Sequence, residues 1–171
     1  MTAPLIVLVG PMGVGKSTVG ALLAERLRRA YRDTDEAVVA AEGRSVADIF
    51  VEEGEEHFRA LEKDAVATAL AEHEGVLALG GGAVLDAGTR RLLAAHTAVV
   101  HLSMGVEEAV GRAGLTRARP LLAGDPRERW RELALARAPL YAEVARVVVA
   151  TDGRTPEEVA DAVLDALELT R

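Results

Sequence analysis

Gly10-Pro11-Met12-Gly13-Val14-Gly15-Lys16-Ser17 matches the spacing G-x-x-x-x-G-K-[ST]. In that pattern the glycines let the backbone turn tightly and aim its N–H groups inward at a phosphate. Lys16 can reach the β- and γ-phosphates of a bound nucleotide, and the Ser17 hydroxyl can ligate Mg²⁺. The chain has 20 Lys and Arg residues, of which only Lys16 and Lys63 are Lys. One of the two falls where a compact ammonium suits a phosphate cradle better than a planar guanidinium. Chance would give such a match on the order of once in a thousand chains of this composition. Gly13, Val14, Gly15, Lys16, Ser17 and Thr18 are therefore the expected nucleotide-binding set.

The loop by itself does not separate a kinase from a GTPase or a motor. A length of 171 residues argues against the large ATPases, and no guanine-reading N-K-x-D stretch occurs. A small-molecule kinase needs a second site beside the γ-phosphate, and in an open α/β sheet that site lies at the carboxyl ends of the strands. Asp33-Thr34-Asp35 stands after one such strand. Two carboxylates at i, i+2 on extended chain point the same way, so both are expected to face the phosphates. Gly80-Gly81-Gly82 after another strand lets a ligand approach bare backbone. Phe58-Arg59-Ala60-Leu61-Glu62 puts Arg59 and Glu62 on one helical face, with Glu62 orienting Arg59. Arg119-Pro120-Leu121-Leu122 and Arg137-Ala138-Pro139-Leu140-Tyr141 complete the set.

The elements that must position these residues alternate along the chain, short β-branched runs with longer helical patterns, as in a parallel sheet covered by helices. Strands are expected at 5–9, 31–33, 76–79, 98–102 and 146–150. Helices are expected at 16–29, 86–95, 107–112, 126–145 and from Thr155-Pro156 onward, where a capping-box-like start is present. The region 36–74 reads as helical with breaks near Gly43 and Gly54, and 114–125 as a mobile loop rich in Gly, Pro and charge. Trp130 is expected as half-buried packing. No repeat or linker divides the chain, so residues 1–171 read as one α/β domain.

Composition narrows the function further. Asp and Glu number 27 against 20 Lys and Arg, giving a net charge of −7, which disfavours a nucleic-acid or membrane-surface partner. The absence of cysteine removes disulfides, thiolate catalysis and thiolate metal sites, and the four histidines show no metal-binding spacing. No apolar run approaches a membrane span, so the expected compartment is the cytoplasm. The acidic surface and lack of an apolar seam lead us to expect a monomer.

In their order and spacing, the P-loop, D-x-D, F-R-x-x-E, G-G-G, R-P-L and R-A-P-L-Y segments resemble those of shikimate kinases, over 10–156. The resemblance implies a three-layer α/β/α fold of the P-loop kinase type, with a five-stranded parallel sheet. It implies an acceptor-binding helical region at about 36–74 and a lid at about 113–125. ATP with Mg²⁺ would then phosphorylate the 3-hydroxyl of shikimate, a step towards chorismate and the aromatic amino acids. By the same resemblance Asp35 contacts the reacting hydroxyl, Arg59 and Arg137 grip the substrate carboxylate, and Gly80, Gly81 and Gly82 offer backbone contacts. Arg119 matches the lid arginine that meets the transferring phosphoryl group, the Pro-Leu after it favouring it over Arg117. Asp33 holds a water on Mg²⁺, and Arg112 and Pro156 flank the adenine. Leu79 stands where some related kinases carry a Ser or Thr, so Ser17, Asp33 and water must complete the metal's surroundings. An anionic substrate accounts for arginines in the pocket of an acidic protein, because the guanidinium fork matches a carboxylate. A carboxylate near its ordinary value of about 3.9 cannot fully deprotonate an alcohol, so Asp35 is expected to orient the hydroxyl and accept its proton late. Two readings compete: a gluconate-type or other small-molecule kinase, and a regulatory nucleotide-binding module without catalysis. The second would be expected to lack one of Asp35, Arg59, Arg119 and Arg137, and all four are present.

Overall fold

Unbroken runs of Val, Ile and Leu make strands that are buried on both faces, and side-chain alternation then divides each strand between two cores. The computed structural model describes residues 4–96, 98–105, 108 and 126–169. Its strands are β1 (Ile6–Val9), β2 (Tyr31–Asp33), β3 (Val76–Ala78), β4 (Val99–Ser103) and β5 (Val147–Ala150). Its helices are α1 (Lys16–Leu27), α2 (Thr34–Glu42), α3 (Val46–Glu53), α4 (Glu55–Glu72), α5 (Ala87–Ala94), α6 (Pro126–Val144) and α7 (Pro156–Ala166). All strand pairs are parallel in the order β2-β3-β1-β4-β5, with Val7 opposite Leu77 on one side and Val99 on the other.

Along β1, Ile6 and Leu8 face a core shared with Leu23 of α1 and Val163 of α7. Val7 and Val9 face a second core with Val66 of α4, Leu93 of α5 and Val144 of α6. The sheet is thus the middle of three layers, and β1 places the phosphate loop at its centre. A third, smaller cluster joins Val38 of α2, Ile49 of α3 and Phe58 of α4 apart from the sheet. The expected breaks in 36–74 are the α2–α3 and α3–α4 junctions, where Gly43 (φ 68°) and Gly54 (φ 90°) take backbone that side chains resist.

Element ends move by a residue or two from expectation, and α6 continues through Pro139. Thr155 and Glu158 close the capping box at the start of α7. The helix expected at 107–112, Glu108 excepted, and the loop expected at 114–125 lie outside the described residues. Among the described residues no helix is long and apolar enough to cross a membrane.

Candidate functional site

The carboxyl ends of β1, β2 and β3 open into one cavity of about 450 Å³. Gly15, at φ 99°, caps α1 in left-handed backbone, so the helix N-terminus and its partial positive charge point into this space. Lys16 Nζ donates to the carbonyls of Gly10 (2.7 Å) and Pro11 (2.9 Å), which holds the ammonium over the loop. Ser17 Oγ donates to Asp33 Oδ2 at 3.2 Å. A hydroxyl and a carboxylate side by side at the phosphate end form an all-oxygen donor set suited to a hard divalent cation, so these two residues fit Mg²⁺.

Asp33 and Asp35 both line the cavity, by a different geometry from the one expected. The extended chain stops at Asp33, whose side chain caps α2 by accepting from Glu36 N at 3.1 Å. Asp35 therefore sits in the first turn of a helix, and its side chain turns inward. The buried Thr34 between them receives the Gly80 N–H on its hydroxyl at 3.3 Å, which ties the turn to the end of β3.

Asp35 does not keep an ordinary acidity. Burial, then the charges of Glu62 and Asp33, push it up to about 6 against the pull of Lys16 and Arg59. Burial also raises Glu62, although Arg59 and Arg137 oppose it. One oxygen of each carboxylate, Asp35 Oδ1 and Glu62 Oε2, is buried without a hydrogen-bond partner. Both face Gly80: a methyl group there would lie 2.5 Å from Asp35 Oδ1 and 2.8 Å from Glu62 Oε2. Unpartnered buried acceptors aimed into a cavity suit a ligand that brings hydroxyl donors.

Arg59 is held on three sides. Its guanidinium bonds Glu62 Oε1 at 2.7 Å and Glu55 Oε2 at 3.3 Å, and it lies 5.3 Å from the Phe58 ring centroid and 5.9 Å from that of Phe50. Glu62 thus orients Arg59 as expected. Arg137, 4% exposed on α6, enters the cavity beside Gly81. The glycine triplet also leaves room for the side chains around it. Gly80 clears the two carboxylates, Gly81 lies against Met12 N and Arg137, and Gly82 lies against the Arg59 guanidinium. A side chain at any of the three would displace a group of the site.

The cavity gathers Gly13, Gly15, Lys16, Ser17, Thr18, Asp33, Asp35, Arg59, Gly80, Gly81, Gly82 and Arg137 from the expected set. Val14 is buried behind the loop, and Pro156 opens α7 away from the cavity. Arg112, Arg117 and Arg119 lie outside the described residues. Trp130 is fully buried rather than half-buried, because its indole packs into the core beside Met12 and donates to the Met12 carbonyl at 3.3 Å. The sequence reading missed Phe50 as a wall of the cavity. Its signal was that the chain's two Phe, 50 and 58, lie one on each side of Gly54, and the rings meet at 5.2 Å between centroids.

A family model described as shikimate kinase matches residues 12–168. The chain is 74% identical to the shikimate kinase of Streptomyces avermitilis over 169 residues, covering 99% of this chain and 98% of that one. It is 72% identical to that of Streptomyces coelicolor over the same length, with the same coverage. Among solved structures, shikimate kinase from Acinetobacter baumannii in complex with shikimate superposes with a TM-score of 0.89 at 34% identity, covering 98% of this chain and 94% of that one.

Proposed function

We infer the work of this cleft from one premise: the chain belongs to the shikimate kinase family. It is an ATP-dependent phosphotransferase with an alcohol acceptor. It transfers the γ-phosphoryl group of ATP to the 3-hydroxyl of shikimate, giving shikimate 3-phosphate and ADP. The observation that carries this reading is the meeting of two unlike half-sites in one cavity. A phosphate loop with Lys16 and Ser17 stands on one side, and two arginines with two unpartnered carboxylate oxygens stand on the other.

The chemistry follows from those positions. The loop N–H groups and the N-terminus of α1 hold the phosphates, and Lys16 moves its ammonium from the loop carbonyls to the β- and γ-oxygens. Ser17, with Asp33 through water, would hold Mg²⁺, which supplies positive charge against the phosphates when bound. Arg59 and Arg137 take the acceptor's carboxylate, a match of two planar forks to one anion. Asp35 then faces the acceptor hydroxyl. As that oxygen bonds the γ-phosphorus and the bond to the departing ADP breaks, Asp35 takes the hydroxyl proton. A carboxyl near 6 is still ionised at neutral pH and is a stronger proton acceptor than a free aspartate. Arg119, by resemblance, adds charge opposite the transferring group.

Residues 1–171 work as one domain, with about 36–74 serving the acceptor and about 113–125 the lid. The acidic surface, with a net charge of −7, supports a monomer. A reaction that consumes ATP is consistent with the cytoplasm as its compartment.

The test is ADP release from ATP and Mg²⁺ with shikimate, gluconate or AMP as acceptor. Stimulation by shikimate alone is expected. Turnover with gluconate or AMP but not shikimate would move the acceptor, and silence with all three in ATP-binding protein would favour a regulatory module.

A further inference from the structure

The helix that carries Arg137 touches both halves of the cleft. Trp130, Arg137 and Tyr141 are spaced by seven and four residues, about two turns and one, and so share a face of α6. Trp130 Nε1 donates to the Met12 carbonyl in the phosphate loop at 3.3 Å. The Tyr141 hydroxyl donates to the Gly81 carbonyl at 2.7 Å, and the Arg137 charge acts on the same phenol. The ring closes between the two backbones: a methyl group at Gly81 would lie 3.2 Å from Met12 N and 3.6 Å from Arg137 Nη1. Phosphate loop, glycine turn and helix therefore form one closed circuit with the Arg137 guanidinium inside it.

The circuit is tightly packed. Trp130 is 4% and Tyr141 2% exposed. The gap that they line with Pro11, Leu133 and Ala134 is only about 10 Å³, at the margin of what admits a water. A buried indole N–H has no other role than donation, and leaving its partner unpaired costs free energy. In a close-packed contact, a shift of the loop must move the helix as well.

We propose that Trp130 and Tyr141 are positioning residues, two polar struts through which α6 fixes the gap between the phosphate loop and Arg137. The proposal rests on the reading of Arg137 as a clamp on the acceptor. In-line transfer requires the acceptor oxygen and the γ-phosphorus to be held within near-attack distance, and one is carried by the clamp while the other is carried by the loop. A strut that sets this gap acts on turnover more than on the binding of either substrate alone.

Trp130→Phe keeps an aromatic ring and removes only the donor. Its kcat is expected to fall about tenfold, with both KM values within about twofold of the parent. Leu135→Ala, on the solvent face of the same helix at 70% exposure, leaves kcat unchanged. Cutting either strut frees the same circuit, so Trp130→Phe/Tyr141→Phe loses no more kcat than the worse single variant. An unchanged kcat in folded Trp130→Phe, or additive losses in the double variant, overturns the proposal. Should the variant not fold, the parent carries its own reporter, because Trp130 is its one tryptophan. Its emission is expected to respond separately to ADP and to shikimate, and a response to one alone or to neither overturns the strut. Arg137→Ala tests the clamp independently, through the KM for shikimate: an unchanged value removes the clamp and leaves the Trp130 readouts to be judged by themselves.

Discussion

The two ends of the cleft are built on different principles. The phosphate end is mostly backbone, a loop between β1 and α1 whose shape is set by left-handed glycines, and it stands on a strand whose residues are at most 1% exposed. The acceptor end is mostly side chains, two arginines and two carboxylates, of which Arg59 and Glu62 hold each other. One of its arginines and one of its carboxylates stand on a helix set against a small satellite cluster of three buried residues. Backbone recognition suits a ligand part common to many enzymes, because it needs few particular side chains. Side-chain recognition suits a part that varies between them. The contrast also separates what changes at each end should do: the phosphate end should fail together with the fold, the acceptor end in degrees.

Asp35→Asn should give the largest effect that leaves the fold intact. Turnover is expected to fall by about 10²–10⁴, the range for loss of a positioned proton acceptor, with ATP affinity nearly unchanged. Loss of ATP binding would break the separation between the two ends. Activity of the parent should fall below about pH 6, as Asp35 takes up a proton. Stability should run the other way. Because folding raises this carboxyl from 3.8 to about 6, the folded chain binds more protons than the unfolded one between those values. Folding stability therefore declines as pH rises through that window, and Asp35→Asn escapes the decline. In metal-free protein at pH 7 the variant should be more stable by about 1–3 kcal/mol, and the gap should close near pH 4. Thermal melts at the two pH values decide it.

Gly80→Ala comes next. The added methyl would stand 2.5 Å from one Asp35 oxygen and 2.9 Å from the other, so the carboxylate must swing away. A displacement of that size should cost about tenfold or more in kcat for shikimate with ATP affinity retained. Parent-like kcat would mean that the carboxylates are free to rearrange, and that the acceptor end is softer than its packing suggests.

Sequence periodicity was enough for all five strands and for the phosphate loop, because buried parallel strands and glycine spacing are local signals. It was enough for Arg59 and Glu62, since three residues on a helix fix a face. It failed at Asp33–Asp35, where the i, i+2 rule for extended chain was applied across a boundary. A capping bond from Glu36 N starts the helix two residues earlier than the expected position 36. It also failed for the acidity of Asp35 and for Trp130. Burial by Glu62, Gly80 and Met12 comes from chain far away in sequence, and no local pattern carries it.

The satellite cluster gives a smaller and more local prediction. Ile49 is fully buried among Val38 and Phe58, and Leu23 is fully buried against the sheet. Truncating either to Ala should cost about 2–5 kcal/mol. Their kinetic signatures should differ. Ile49→Ala loosens the helices that carry Phe50, Phe58 and Arg59, so the KM for shikimate should rise severalfold while that for ATP stays put. Leu23→Ala should lower the melting temperature with both KM values retained. Equal effects of the two variants on both substrates would show that the satellite and the sheet unfold as a single unit.

Arg44 should give the smallest effect and the sharpest view of how the acceptor end is tied down. Its guanidinium reaches Glu42 at 3.0 Å, Glu52 at 2.8 Å and Glu53 at 2.9 Å, which staples the α2–α3 junction to the end of α3. The three bonds raise Arg44, and the one to Glu53 lowers that carboxylate. They are also open to water and ions, where a salt network is screened. Arg44→Ala should therefore raise the KM for shikimate by less than about twofold at low ionic strength, and the difference should vanish in concentrated salt. The buried Ile49 effect should survive the same salt, because removing apolar contacts does not depend on screening. If Arg44→Ala instead matched Ile49→Ala and persisted in salt, the staple rather than the small core would hold the acceptor helices.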